Sequence, residues 1–435
     1  MTSAPSGPAR VIGIAADDLT GANDSLVQFA GAGWTSRLAL GGLDPQHTGS
    51  TLATVTDSRA LPPAAASAVT ADAVARLLVA GADRLYVKID STMRGSIPAQ
   101  IDGALHTWRQ HHAGAFAVVC PAYPAMGRTV AQGQLLVNGE PVESTSVGRD
   151  PVTPVSTSDL STLIPGSRSI RLGNGTATEQ AHRLAEASGH EGATVVVDAV
   201  TDADLDQLAA ALSELGPWAV PVGSAGLAAA LASRWGSDAG LSVLSRSASS
   251  PTGPVLIVVS SLHDVSRGQA ERLINESADD DLLVLRPALT DVRSRASALA
   301  WAAAQERSVA QQATLLLSPT DRGNTPDALT GAEIADRLAA IAGVVLAESI
   351  LPQSTAAALV LMGGDGARAV LRETVAQSVV VAGALQEGVP VGVVDGGTAH
   401  GLRVVTKAGG FGTPDSLTDI VHQLCNLSPS SEALP

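Results

Sequence analysis

The chain has 435 residues, 45% hydrophobic and 2% aromatic, and its 27 Lys and Arg against 42 Asp and Glu leave a net charge of −15. That length exceeds one ordinary core and suits two domains of about 200 residues each, built from Ala, Val, Leu and Ile. The acidic balance excludes a nucleic-acid or anionic-membrane surface, yet leaves room for an anionic small molecule held by a few local cations.

Cys120 and Cys425 stand far apart and form no zinc or redox spacing. The start lacks an apolar signal core, and no run is long enough to span a bilayer. The expectation is a cytoplasmic chain with reduced thiols. The nine His show no metal-ligating spacing, and no protein-borne metal site is expected.

Residues 1–10 are Pro- and Ser-rich and read as disordered. A first domain is expected over 11–235. It opens with an apolar strand, Val11 to Ala16, ending in adjacent carboxylates, Asp17 and Asp18. Thr20, Gly21, Asn23 and Asp24 are residues of a tight turn and helix start, with the helix itself expected from Ser25 to Ala32. Successive strand residues face opposite sides, so one carboxylate suits a ligand and the other the loop or a cation. The plainer alternative is that the pair ends a strand and caps a helix.

Strands follow near Ser36 to Leu40 and Leu52 to Thr56, the second ending in Thr56-Asp57-Ser58-Arg59. Ala64 to Ala80 is an Ala-rich amphipathic helix. The next strand runs from Leu85 into Lys88, Asp90, Ser91, Thr92 and Arg94. Lys and Arg hold carboxylates, and Ser and Thr hydroxyls suit a polyol. Against this stands a surface turn with a Lys–Asp pair. The binding reading is favoured because ligands of open α/β sheets lie at the carboxyl ends of strands.

After the strand Ala115 to Cys120, two prolines fix a loop that presents Arg128. Gln134 to Thr145 reads as a hairpin with Asn138-Gly139 at its tip. Further strands are expected at Arg168 to Leu172 and Thr194 to Asp198, and helices at Thr176 to Ser188 and Asp202 to Leu215. Gly223-Ser224-Ala225-Gly226 opens an Ala-rich helix, either as an anion site or as small residues for helix packing.

Residues 236–253 are Ser- and Gly-rich and read as a linker. A second domain is expected over 254–427, followed by a disordered tail, 428–435. Its first strand, from Pro254, ends in Ser260-Ser261. Ala358 to Leu371 reads as strand, glycine-rich turn and helix, with Gly363, Gly364, Asp365 and Gly366 at the turn. Glycines let backbone approach a phosphate, and a helix start supplies N–H groups. Lys407, Gly409 and Gly410 form a second phosphate-facing loop. The fold class expected is α/β, two domains, each a mainly parallel sheet flanked by helices.

Together these motifs resemble the four-carbon acid sugar kinase family. Ala16 to Asp24 (A-D-D-L-T-G-A-N-D), Lys88 to Gly95 (K-I-D-S-T-M-R-G), Pro121 to Arg128, Asn138 to Thr145 and Arg149 to Pro151 resemble its acid-sugar half. Met362 to Ala367 (M-G-G-D-G-A), Gly388 to Gly392 and Lys407 to Gly412 (K-A-G-G-F-G) resemble its nucleotide half. The family's Gly-Ser after the first strand of that half stands here as Ser260-Ser261. Its Gly-Gly-Glu/Asp-Thr/Ser loop stands as Gly363 to Gly366, with no hydroxyl at the last position.

The resemblance implies an ATP-dependent kinase, with Mg²⁺ carried by the ATP phosphates, acting on the terminal hydroxyl of a sugar acid. D-Threonate is the first choice, because the first motif resembles the threonate type more than the oxo-tetronate type. Erythronate and 3-oxo-tetronate are the alternatives within the family. Asp17 or Asp18 would accept the hydroxyl proton, with Asp17 the first choice. Asp57, Arg59, Lys88, Asp90, Ser91, Thr92, Arg94 and Arg128 would hold the sugar acid. Ser261, Gly363, Gly364, Asp365, Gly366, Lys407, Gly409 and Gly410 would hold the nucleotide. A homodimer is compatible with this reading; nucleic acid and membrane partners are not expected. The rivals from other classes are a phosphohydrolase, whose D-x-D-x-T spacing Asp17, Asp18 and Thr20 do not match, and a non-catalytic binder.

Overall fold

Strand–loop–helix repeats build two units in the computed structural model, Met1–Leu244 and Ser245–Pro435. It describes residues 11–43, 49–150, 152–189, 192–238, 253–278, 281–305, 312–320, 329–350 and 358–425. The start, most of the expected linker and the tail lie outside these residues.

The first unit runs β1 (Val11–Ala16), α1 (Leu19–Gly31), β2 (Thr35–Ala39), β3 (Ser50–Val55), α2 (Pro63–Val79), β4 (Arg84–Lys88), α3 (Ile97–Trp108) and β5 (Phe116–Cys120). It continues through β6 (Arg128–Ala131), β7 (Gln134–Val137), β8 (Glu140–Pro141), α4 (Leu160–Leu163), β9 (Arg168–Ile170) and α5 (Ala177–Ser188). β10 (Val195–Val197), α6 (Asp202–Leu215), β11 (Ala219–Gly223) and α7 (Ala225–Asp238) complete it. Its sheet has the order β2-β3-β1-β4-β11-β5-β10-β9, every pair parallel. Parallel strands covered on both faces are apolar throughout, and all six residues of β1 are buried.

The chain winds from β1 to β3 on one side and then crosses to β4 on the other. β1 therefore marks the switch point, where ligand crevices of such sheets lie. The register brings Ala16 level with Val55 and Lys88, so the loops after β1, β3 and β4 leave the sheet side by side.

Several elements differ from expectation. α1 starts at Leu19, six residues before Ser25, because Asp18 caps it by accepting the Gly21 N–H at 2.8 Å. Thr20 to Asp24 are its first turns, not a separate turn. The hairpin tip does lie at Asn138-Gly139, with φ of 53° and 85°, and a second such turn at Gln132-Gly133 adds β6. Arg128 is thus a strand residue. α3 enters through Ile97-Pro98, where proline suits the first helical turn. α7 runs through Asp238, three residues into the stretch read as linker. A Cβ on Gly226 would clash with the Ala122–Tyr123 backbone, so glycine there lets α7 start against the loop after β5.

The second unit runs β12 (Val255–Val259), α8 (Asp264–Glu276), β13 (Leu282–Leu285), α9 (Arg295–Ala303), β14 (Ala313–Leu317) and α10 (Gly331–Val345). β15 (Ala358–Met362), α11 (Gly364–Glu373), β16 (Ser378–Gln386), β17 (Val389–Asp395), β18 (Arg403–Lys407) and α12 (Ser416–Leu424) follow. The order is β13-β14-β12-β15-β18-β17-β16, parallel through β18 and antiparallel in the last two pairs. Ile257, Val259, Leu315, Val360, Met362 and Val405 of the sheet pack with Leu273 of α8 and Leu417, Ile420, Val421 and Leu424 of α12. Here β12 is the switch strand, and the loops after β12, β15 and β18 adjoin. Both cysteines are free and buried. No helix among the described residues is long and apolar enough to cross a membrane.

Candidate active site

Three strand ends of the first unit bring together three carboxylates and two guanidinium groups. Arg59, from the loop after β3, grips Asp17 with both prongs of its fork, Nε to Oδ2 at 2.8 Å and Nη2 to Oδ1 at 3.0 Å. Its Nη1 pairs with Asp18 Oδ2 at 2.9 Å, and Nη2 lies 4.0 Å from Asp90 Oδ1. Arg94 forks onto Asp90 at 2.9 and 3.0 Å and reaches Asp150 Oδ2 at 3.1 Å. Thr92 Oγ1 also donates to Asp90. The Asp17 side chain is 0% exposed and that of Asp18 29%, so Asp18 is the more accessible member of the pair.

The charges explain the arrangement. Burial, with Asp18 adding to it, raises the Asp17 carboxyl above its ordinary value, although the Arg59 guanidinium on both its oxygens pulls against that. Burial works against Arg59 too, but Asp17, Asp18 and Asp90 overcome it and hold the guanidinium charged. Burial also acts on Asp90, yet Arg59 and Arg94 keep its carboxyl well below the usual carboxylate range.

Asp24, in the second turn of α1, is not among the site residues the sequence singles out. Its Oδ1 is buried without a hydrogen-bond partner among the described residues. Burial raises its pKa to about 7, with Lys88 and Arg59 opposing and Asp18 reinforcing the rise. An unfolded Asp titrates near 3.9. The folded value is the higher, so the contribution to stability is full below about pH 4 and is lost as pH rises through about 7. Asp24→Asn is therefore expected to gain on the wild type by up to about 4 kcal/mol at about pH 8 and by little at about pH 4. Melting curves across that window check it; a constant difference would mean that Asp24 is ionised throughout.

The remaining candidates sit at varying remove. Lys88 is buried, its Nζ donating to the Ile89 carbonyl at 2.6 Å. A Cβ on Gly21 would lie 2.6 Å from both Lys88 Nζ and Asp18 Oδ1, so the Lys88 and Asp18 side-chain tips pack directly against this glycine. Ser91 is half-buried, Thr92 is buried, and Asp57 is exposed with φ 50°. Arg128 turns its guanidinium back onto the Met126 carbonyl. Asp150 is a further participant the sequence reading missed, although it lies in the quoted Arg149 to Pro151 motif.

In the second unit the loops after β12, β15 and β18 meet over the start of α11. Gly363 precedes that helix with φ 104°, and no side chain caps it. Its N–H donates to the Lys407 carbonyl at 3.0 Å, tying β15 to β18. Ser266 Oγ donates to Gly409 O at 2.6 Å, and Gln269 Nε2 to Phe411 O at 3.2 Å and Thr413 O at 2.6 Å, so α8 holds the glycine loop. Ser261 Oγ accepts from the His263 N–H at 3.2 Å, Gly410 adjoins His263, and Asp365 is exposed. Lys407 is buried at the end of β18, and burial lowers its pKa to about 8. A cradle of N–H groups, glycines and one cation suits a phosphate.

The two units define a two-domain α/β protein, one half with a cluster of carboxylates and guanidinium groups at its switch point and the other with glycine loops beside a helix start. Residues 12–231 match a family described as a sugar-binding N-terminal domain, and residues 256–417 one described as a nucleotide-binding C-terminal domain. The chain is 42% identical to a D-threonate kinase of Bordetella bronchiseptica, over 93% of this chain and 95% of that one. It is 30% identical to a D-threonate kinase of Salmonella typhimurium, over 94% and 97%. A solved Haemophilus influenzae protein shares the fold at TM-score 0.69 with 20% identity, over 94% of this chain and 98% of that one. The chain belongs to the four-carbon acid sugar kinase family.

Proposed function

We propose that this protein uses ATP to phosphorylate the terminal (4-) hydroxyl of a four-carbon sugar acid, D-threonate first. The observation that carries this is full-length similarity to D-threonate kinases, joined to a carboxylate–guanidinium cluster at the switch point of the sugar-binding half. Asp18 is the base. It accepts the hydroxyl proton, which replaces Asp17 as first choice because Asp17 is sealed under Arg59. Arg94 and Arg128 receive the substrate carboxylate, and Asp90, Ser91 and Thr92 its hydroxyls, while Lys88, buried under α1, acts through its charge on Asp24. Arg59 acts through the carboxylates it fixes. Asp57 stands at the rim.

In the nucleotide half, Ser261, Gly363, Gly364, Asp365, Gly366, Lys407, Gly409 and Gly410 hold the ATP phosphates. Mg²⁺ supplies charge neutralisation there. A cytoplasmic enzyme, with a homodimer open to it, completes the reading.

The test is ADP release from ATP and Mg²⁺ with D- and L-threonate, D- and L-erythronate and 3-oxo-tetronates. Turnover on D-threonate supports the proposal. Preference for another acid moves the substrate within the family, and phosphate release without ATP would put a phosphohydrolase in its place.

Lys407 gives a second expectation. Its ammonium attracts phosphate only while protonated, so ATP affinity should weaken above about pH 8, approaching tenfold per pH unit. Lys407→Arg keeps its charge and should flatten that slope. Calorimetric titration from about pH 7 to about pH 9.5 decides; the same slope in both proteins would remove Lys407 from the phosphate site.

A further inference from the structure

Positions 260 and 366 compete for one space. Ser260 follows β12, and Gly366 lies in the first turn of α11. A Cβ on Gly366 would overlap both Oγ and Cβ of Ser260. A Cβ on Gly363 would lie 2.6 Å from the same Oγ. The Ser260 side chain thus occupies the place from which a residue at 366 would project. Where the family pattern has glycine on the strand and a hydroxyl on the helix, this chain has serine on the strand and glycine on the helix.

We propose that Ser260 Oγ is the hydroxyl that meets a nucleotide phosphate at the start of α11, delivered from the end of β12 in place of a side chain at 366. This rests on the kinase reading. The hydroxyl now donates to the Met362 carbonyl at 3.0 Å. That carbonyl also accepts the Ser260 N–H at 3.0 Å, so it keeps a partner when the hydroxyl turns to a phosphate oxygen. A hydroxyl rotates freely enough to make that change. Ser261 is placed alike, since a Cβ on Gly409 would overlap its Oγ. The two serines therefore face two glycine loops, and Ser260 is a positioning and phosphate-contacting residue.

Exchange of the pair tests this with the full-length protein. Gly366→Ser alone adds a side chain to filled space and should weaken ATP binding by about tenfold or more. Ser260→Gly with Gly366→Ser vacates the strand position and restores a hydroxyl on the helix, so affinity should return to within about threefold of wild type. Ser260→Gly with Gly366→Ala relieves the crowding without a hydroxyl and should remain about tenfold weak. Titration calorimetry with ATP and Mg²⁺ reads affinity, melting reports folding, and the KM for the sugar acid should stay put. Equal affinity of the two double variants would overturn the hydroxyl's role, and failure of the serine swap to recover would overturn the exchange. A wild type that binds no ATP would sink the kinase reading itself.

Discussion

Asp18→Asn is expected to fold like the wild type and to lose about a hundredfold to ten-thousandfold in kcat, the range spanned by general bases. Folding should survive because asparagine caps helices as well as aspartate does, and its amide oxygen can still accept the Gly21 N–H that Asp18 holds at 2.8 Å. Arg59 keeps Asp17 and Asp90. What disappears is the half-buried carboxylate charge, hence the proton acceptor. Asp17→Asn should behave in the opposite way. It removes a fully buried charge gripped by two guanidinium hydrogen bonds, and breaking such a pair costs about 3–5 kcal/mol. Retained contacts to Asp18 and Asp90 put the expected loss toward the low end. Kinetics and melting on the two variants separate the roles. Full turnover by Asp18→Asn, or equal melting losses in both, would sink the assignment of Asp18 as base.

The pair was legible in the sequence because a buried strand announces its end by turning polar. Of its two readings the structure shows the helix cap: Asp18 caps α1 through Oδ1 and pairs Oδ2 with Arg59. The early start of α1 was hidden for the same reason. Thr20, Gly21 and Asn23 carry turn propensity, and what starts the helix ahead of them is the Asp18 cap on the Gly21 N–H. Arg59 marks the larger limit. From sequence it was one more cation for a sugar acid, since nothing in Thr56 to Arg59 shows that the loops after β1, β3 and β4 emerge side by side. That depends on strand order, as does the meeting of Ser260 with Gly366, residues more than a hundred positions apart. Glycines and strand ends could be read singly; which of them meet could not.

Arg59→Gln should be the most damaging single change in the first unit. It leaves Asp17, Asp18 and Asp90 crowded at the switch point with one cation fewer, and loss of one partner from a buried ion pair costs about 3–5 kcal/mol. The pH dependence carries the diagnosis. Without Arg59, burial and the neighbouring Asp18 raise the folded-state pKa of Asp17 further above its unfolded value near 3.9. Such groups stabilise fully below the unfolded pKa and lose that contribution as pH rises through the folded one. The melting deficit against wild type should therefore be smaller at about pH 5 and larger at about pH 8. Arg59→Lys should recover only part of it, because a single ammonium cannot fork onto Asp17 while reaching Asp18. Calorimetry of the three proteins across that range reads both effects. A deficit that ignores pH, or full rescue by lysine, would mean that Arg59 serves as packing rather than as the cation that keeps three acids in one cleft.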